Sequence, residues 1–456
     1  MPENSLKVVI VGGGPVGIIT AHALHHAGID FVVLESRADI FEDTGASLAV
    51  TPQNLRVFHQ LGLLKTLLAL GSPLNHHSEG FSSKRPKFSR SNALSLLQEN
   101  HGSATLIFHR SQLIKALYDG LPEHAKNRFL SDKKVSNISL TSTGLEVSCA
   151  DGSFYPGSIV IGSDGAHSKT RSIMRHLALE ADPSLASTWD PEQPFTATYR
   201  CLWGSFEKAS DPGDSYETQG QDRSTVYLTG VDKGWIFLYE KLPRRSKARV
   251  TYSEKEIQSF KSSFAHWPLN QKLKVRDVLE TCPNLVGMAN LEEGIAKNIS
   301  WNGSIVLVGD AWHKFTPNSG LGFNNGVQDV VSLCNRLHAL SASSQLFTSD
   351  GILNTKALQN AFDGYHLERI KPLQADYARS ARATRLSAWE TSNHYILARY
   401  ILPLERLQKF LINRHISPGI ASGLVLDYIP ANEALLGKVH WANPLRSKRD
   451  QGKQSQ

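Results

Sequence analysis

Three glycines near the start of the chain, Gly12, Gly14 and Gly17, fall in G-x-G-x-x-G spacing, and a carboxylate, Glu35, stands 18 residues beyond the last of them. Each type has a use in holding a dinucleotide. Gly12 permits a tight turn, Gly14 lets a pyrophosphate approach the backbone, and Gly17 lets a helix pack closely on a strand. A helix N-terminus there offers free N–H groups and positive potential to the anion. Glu35 is placed to accept from ribose hydroxyls, and its charge disfavours a 2′-phosphate, which leaves NAD or FAD. The elements that must position these groups are readable around them. Val8–Val11 is an apolar strand, an alanine-rich helix follows the glycines, and Phe31–Leu34 is a second strand that ends on Glu35.

Two more apolar runs end on Gly–Asp. Ser158–Gly162 delivers Asp164 and Gly165 to a turn, and Ser304–Val308 delivers Gly309 and Asp310. After Asp310 come Pro317, Gly320, Leu321, Gly322 and Phe323, then a helical pattern through Val330, Leu333 and Leu337, so a second helix N-terminus faces the same ligand. Between these motifs, residues 185–290 carry alternating runs, among them Phe195–Trp203, Thr225–Leu228 and Gly234–Tyr239, that read as antiparallel strands aromatic on one face.

With those three motifs in this order the chain resembles the group A flavoprotein monooxygenases, the fold family of para-hydroxybenzoate hydroxylase, over residues 5 to about 375. The string from His313 to Asn318 is most similar to the fungal natural-product branch, the paxilline-type epoxidases and the indole and meroterpenoid hydroxylases. The resemblance implies an α/β fold: a Rossmann-like FAD-binding domain in two parts, 5–184 and 291–375, interleaved with an antiparallel-sheet substrate domain, 185–290, and followed by a C-terminal helical region and polar tail, 376–456. It implies that Asp310 bonds the ribityl chain of FAD and that Gly320, Leu321 and Gly322 present N–H groups to the flavin beside Pro317. Arg110 and Ala49 also approach FAD, and the Asp164–Gly165 turn serves both FAD and NAD(P)H. Ser163, Thr170, Phe323 and Val330 depart from the family's smaller or apolar residues, and Phe323, the largest change, could reshape the flavin pocket.

The implied reaction is epoxidation or hydroxylation of an apolar, electron-rich secondary metabolite, a prenylated indole, terpenoid or aromatic, with NAD(P)H and O2 through a flavin C4a-hydroperoxide. Arg200 is the strand cation expected to face the flavin and act in oxygen transfer; the alternative is a surface arginine paired with a carboxylate. Tyr216 is the second catalytic candidate, and with Tyr239 a candidate for substrate hydrogen bonding; strand aromatics also serve as core. A flavin-dependent halogenase and a non-catalytic flavin-fold binding protein are the rival readings. The W-x-W-x-I-P signature of the first is missing, and retention of three cofactor motifs argues against the second.

The remaining composition excludes other classes. The 456 residues are 41% hydrophobic and 20% charged, an ordinary globular balance. The four cysteines, Cys149, Cys201, Cys282 and Cys334, make no C-x-x-C pair, and His25–His26 and His76–His77 have no metal spacing, so no metal site and a reducing, cytoplasmic setting are expected. The net charge of +7 is spread along the chain and densest at Arg446–Arg449, which reads as a solvated tail and not a nucleic-acid footprint. A presequence is not expected, since the first strand begins at Lys7. Residues 373–437 are expected to pack on the flavin domain, as monomer or homodimer, with peripheral contact to an internal membrane as the alternative.

Overall fold

The computed structural model describes residues 5–43, 45–74, 78–82, 85–281 and 286–447; Met1, His76, His77, Cys282, Lys448 and Arg449 lie outside them. The first strand, Lys7–Val11, is a β-branched run buried along almost its whole length. Such a run suits the centre of a parallel sheet covered on both faces. It pairs in parallel with Asp30–Leu34 on one side and Ile159–Gly162 on the other. Phe129–Leu130, Ile305–Leu307 and Ser300–Trp301 complete six strands. All three ligand motifs therefore leave the same end of one sheet, the place where open α/β sheets bind ligands.

Helix Pro15–His26 starts with proline in its first turn, whose fixed φ suits that position. It crosses helix Leu321–Ser341 closely because Gly326 has no side chain: a Cβ there would meet Val16 at 2.6 Å. Behind the Gly309–Ala311 turn, Asp329 accepts from His313 Nε2 at 2.6 Å, Arg369 Nε at 2.9 Å and the Gly309 N–H at 3.1 Å. Burial pushes the Asp329 carboxyl up, but the facing His313 and Arg369 hold it below its ordinary value. His313 is thus a packing and hydrogen-bonding group that fixes the turn carrying Asp310.

The second sheet has eight strands in the order His313–Lys314, Val286–Ile295, Thr196–Glu207, Lys233–Ser246, Arg223–Thr229, Ser215–Gly220, Ser78–Ser82 and Arg85–Ser91. Its pairings are antiparallel except between Ser215–Gly220 and Ser78–Ser82. Two of its strands thus come from the stretch 5–184, so the sheet is wider than 185–290. Period-two alternation gives it two faces. Cys201, Trp235, Phe237 and Tyr239 form one apolar cluster, with Trp203 and Leu291 against it. Leu202, Phe206, Tyr227, Ile236 and Leu238 form another with Phe260 and Phe264 of helix Glu254–Phe264.

Helix Thr355–Ser387 runs through Pro372, so a boundary at 375 falls inside a continuous helix. Beyond it, short helices lead to an extended segment that wraps the domain built on the six-stranded sheet. Arg56, fully buried, pairs with Glu433 at 2.7 Å and stacks over Trp441. Gln60 Nε2 donates to the Leu426 and Ile429 carbonyls at 2.7 and 2.6 Å.

Candidate active site

A cleft of about 860 Å³ opens between the two sheets. Of the residues singled out from sequence, Gly12, Gly14, Glu35, Arg110, Asp164, Gly165, Asp310, Pro317 and Phe323 line it. Gly17 lies beneath the turn, where a Cβ would sit 2.0 Å from the Gly12 carbonyl oxygen. Gly12 has φ +105, and Ser163 donates to its carbonyl at 2.8 Å, so the serine found in place of the family's alanine braces the turn. Gly14 differs: its φ of −68 suits any residue, and an added Cβ would meet nothing within 4 Å. No protein contact requires glycine there, so the open space serves a ligand.

The polar groups around that space are organised. Glu35 accepts from the Gly13 N–H at 2.7 Å and from Arg37 Nε at 3.0 Å. Burial pushes its carboxyl up, but the bonds from Arg37 and Gly13 leave it below its usual value and ionised. Arg37 was not anticipated, although Glu-x-Arg at the strand end was available as a signal. Arg110 opens helix Arg110–Asp119, its N–H donating to the Ala46 carbonyl at 3.0 Å. Its Nη1 is buried without a partner among the described residues. Burial, then Arg37, push its guanidinium down, against Asp310, Glu35 and Asp43. Its neighbour His109 donates from Nε2 to Asp43 at 2.7 Å and accepts from Trp235 Nε1 at 3.2 Å, tying this wall to the antiparallel sheet.

Asp164 accepts from Ser168 Oγ at 2.5 Å, the Thr170 N–H at 2.9 Å and Thr170 Oγ1 at 3.0 Å, so its carboxylate fixes the start of helix Lys169–Ala181. Burial raises this carboxyl despite those bonds. Asp310 pairs with Lys314, a cleft residue that sequence reasoning missed. Gly320, at φ +62, caps helix Leu321–Ser341, and a Cβ on it would touch Ala49 at 3.0 Å. A Cβ on Gly322 would be 3.8 Å from Asp310. Leu321 is buried at the helix start beside these groups. The ring of Phe323 stacks on Phe58 with centroids 6.5 Å apart, so its extra bulk is largely taken up by the core.

The two catalytic expectations need correcting. Cys201 and Trp203 face the cleft, so alternation turns Arg200 to the opposite face. There its Nε donates to Glu240 at 2.8 Å, Arg223 pairs with the same carboxylate, and its guanidinium lies 4.9 Å from the Phe260 ring centroid. This is the carboxylate-paired strand arginine of the alternative reading. Tyr216 also faces away, donating to Asp214 at 3.0 Å and packing beside Tyr227 and Phe81. Tyr239 lies on the cleft side, buried and stacked on Phe237. The aromatic groups lining the cleft from the sheet are Trp203 and Phe237, with Phe315 opposite. Trp203 lies over Gly287, its cross-strand partner.

The orphaned Arg110 Nη1, the open approach at Gly14, the helix N-terminus at Leu321 and the Asp310 carboxylate form a donor and acceptor set that fits FAD. The known proteins agree. The FAD binding domain family matches residues 5–182 and 280–349. The chain is 32% identical to the FAD-dependent monooxygenase ausM of Penicillium brasilianum over 430 residues, 91% of this chain and 87% of that one. It is 32% identical to the FAD-dependent monooxygenase srdH of Neurospora crassa over 455 residues, 96% and 99% of the two chains. Among solved structures, Klebsiella pneumoniae HpxO complexed with FAD and uric acid superposes with TM-score 0.71 at 18% identity, covering 90% of this chain and 97% of that one. The p-nitrophenol 4-monooxygenase PnpA of Pseudomonas putida gives 0.69 at 19% identity, covering 91% and 99%. The turn geometry, the cleft chemistry and these relatives together place the chain in the family of FAD-dependent monooxygenases.

Proposed function

We propose that this monooxygenase uses NAD(P)H and O2 to epoxidise or hydroxylate an apolar, electron-rich secondary metabolite, a prenylated indole, terpenoid or aromatic. The observation that carries this reading is the asymmetry of the cleft: one wall bears Glu35, Arg37, Arg110 and Asp310, and the sheet facing it brings Trp203, Phe237, Met288 and Leu291, with Asn290 and Glu292 as its polar members. The first wall suits a dinucleotide and the second an apolar ligand with a π-face. FAD, when bound, supplies the electron storage and oxygen activation that side chains cannot. The chain's own part is binding, orientation and exclusion of water. Glu35, Arg110 and the Asp310 turn hold the cofactor, with Pro317, Gly320, Leu321, Gly322 and Ala49 at its ring end and Gly165 at the nicotinamide approach. Trp203 and Phe237 keep water from the reacting face, where it would divert activated oxygen to hydrogen peroxide. Arg200 and Tyr216 stabilise the far face of the sheet.

A halogenase is not favoured, since the full-length relatives are monooxygenases. The same reading puts the enzyme in the cytoplasm as monomer or homodimer, with peripheral contact to an internal membrane through its C-terminal region; among the described residues no helix is long and apolar enough to cross one. The test is a panel of prenylated indoles, meroterpenoids and phenols incubated with enzyme, FAD, and NADH or NADPH. One class should stimulate NAD(P)H consumption and gain a single oxygen atom. Consumption that no compound stimulates would support the binding-protein alternative, and a halogenated product would overturn the reaction.

A further inference from the structure

Most large hydrophobic side chains exposed among the described residues are scattered singly, but Ile396, Leu397, Tyr400, Ile401, Leu404 and Phe410 crowd into one short segment. Their exposures are 47%, 38%, 60%, 37%, 57% and 57%. Helix Ser392–Ile396 runs directly into the wider turn Leu397–Ile401, so the first four recur at helical spacing on one side. Ala398, on the other side, is buried, and Leu404 extends the stripe at the next bend. Helix Glu405–Leu411 and the turn Ile412–Ile416 then present exposed Arg406, Lys409 and Arg414 around Phe410. Those three cations enter no ion pair among the described residues.

This segment is not a frayed end. Trp389 Nε1 donates to Gln219 at 2.9 Å, and Tyr395 packs edge-on against Trp389 at 4.9 Å. The Asn92 N–H donates to Gln408 at 3.3 Å, and Asn100 Nδ2 to Asn413 and to Ser417, each at 2.8 Å. Polar bonds, that of Asn100 to Ser417 buried and the others partly so, thus hold a greasy stripe outward at the rim of the antiparallel sheet. A contiguous exposed apolar stripe beside a row of cations marks an interaction surface.

We propose that residues 392–416 dock on an anionic lipid bilayer. The apolar stripe enters the boundary between head groups and acyl chains, and Arg406, Lys409 and Arg414 meet lipid phosphates and carboxylates. Charge favours this occupant over a second copy of the chain, because self-association would bring two cationic rows together on a protein already at net +7. The stripe adjoins the sheet that walls the cleft, so an apolar substrate dissolved in the bilayer lies next to the enzyme that uses it.

The inference rests on the membrane contact proposed above and is independent of catalysis. The test is co-sedimentation of the FAD-loaded full chain with phosphatidylcholine vesicles, with and without phosphatidylserine. Wild type should sediment with the anionic vesicles. Arg406→Ser with Lys409→Ser should weaken that binding by roughly thirtyfold, from two lost cations, and Leu404→Glu with Phe410→Glu should abolish it, with FAD content unchanged in both. Wild type left in the supernatant with the anionic vesicles, or bound equally well to phosphatidylcholine alone, would overturn the proposal. So would a concentration-dependent dimer, lost in the Leu404→Glu, Phe410→Glu variant, in a protein that ignores vesicles. Neither failure touches oxygenase activity measured with dissolved substrate.

Discussion

Gly14 and Gly17 carry the same residue type for different reasons, and one methyl group separates them. In Gly14→Ala the new Cβ meets no protein atom within 4 Å, and φ −68 with ψ −179 is open to alanine. The apoprotein should keep nearly the wild-type melting temperature. FAD, however, must use that space, and overpacking by one methyl costs about 1–3 kcal/mol, a rise in Kd of about 5- to 150-fold. At FAD one hundred times the wild-type Kd, the ligand adds about 2.7 kcal/mol to wild type, and about 0.9 kcal/mol to a variant weakened thirtyfold. In Gly17→Ala the Cβ lies 2.0 Å from the Gly12 carbonyl oxygen and 2.9 Å from Ser163 Oγ, so backbone must move and the apoprotein itself should melt earlier. Flavin-fluorescence titration gives Kd, and thermal melts with and without FAD separate the two effects. Wild-type FAD affinity in Gly14→Ala, or an apoprotein melting loss equal to that of Gly17→Ala, would refute the reasoning.

Arg110→Met removes a buried cation whose Nη1 has no partner among the described residues, so apoprotein stability should hold while the FAD Kd rises about 10- to 150-fold, read by the same titration. Arg200→Ala should lower stability by about 1 kcal/mol, as expected for a partly exposed ion pair, and leave the ratio of product to NAD(P)H unchanged; increased peroxide release from a stable variant would return Arg200 to the catalytic machinery. Gly287→Val would put a Cβ 2.2 Å from the Trp203 ring and push the indole off the cleft wall, so KM and peroxide release should rise with FAD affinity unchanged. Burial pushes His22 down to about 4, so between that pH and 6.5 the unfolded chain binds more protons than the native one. Its contribution is complete above pH 6.5 and lost as pH falls towards 4, up to about 3 kcal/mol. Urea midpoints should therefore fall with acid in wild type and less in His22→Gln, which can still donate to the Leu117 carbonyl; parallel losses in both would count against this.

The parts of the site legible in sequence were those built from contiguous residues. Gly12, Gly14 and Gly17 specify a turn through local backbone geometry, and Asp310 through Gly322 does the same at the second helix start. The antiparallel runs were also legible, because alternation shows that a strand has two faces. It does not show which face meets the cleft, and this is why Arg200 and Tyr216 were assigned to the wrong one. Trp203 gains its position from Gly287, a pairing set by tertiary register across two strands distant in sequence. The boundary expected at 375 falls inside a helix, since burial of Tyr365, Arg369 and Leu373 along one side carries it through Pro372. Lys314 was hidden because its importance lies in an ion pair with Asp310 and not in a motif.

The central claim is that this cleft moves one atom of O2 onto an organic substrate. It is tested most directly by running the reaction under oxygen-18 gas with FAD, NAD(P)H and the best substrate of the panel, and weighing the product. One oxygen-18 atom per product molecule, with NAD(P)H consumed in proportion, is the predicted result. A product whose new oxygen comes from water, or one with no added oxygen at all, would contradict it.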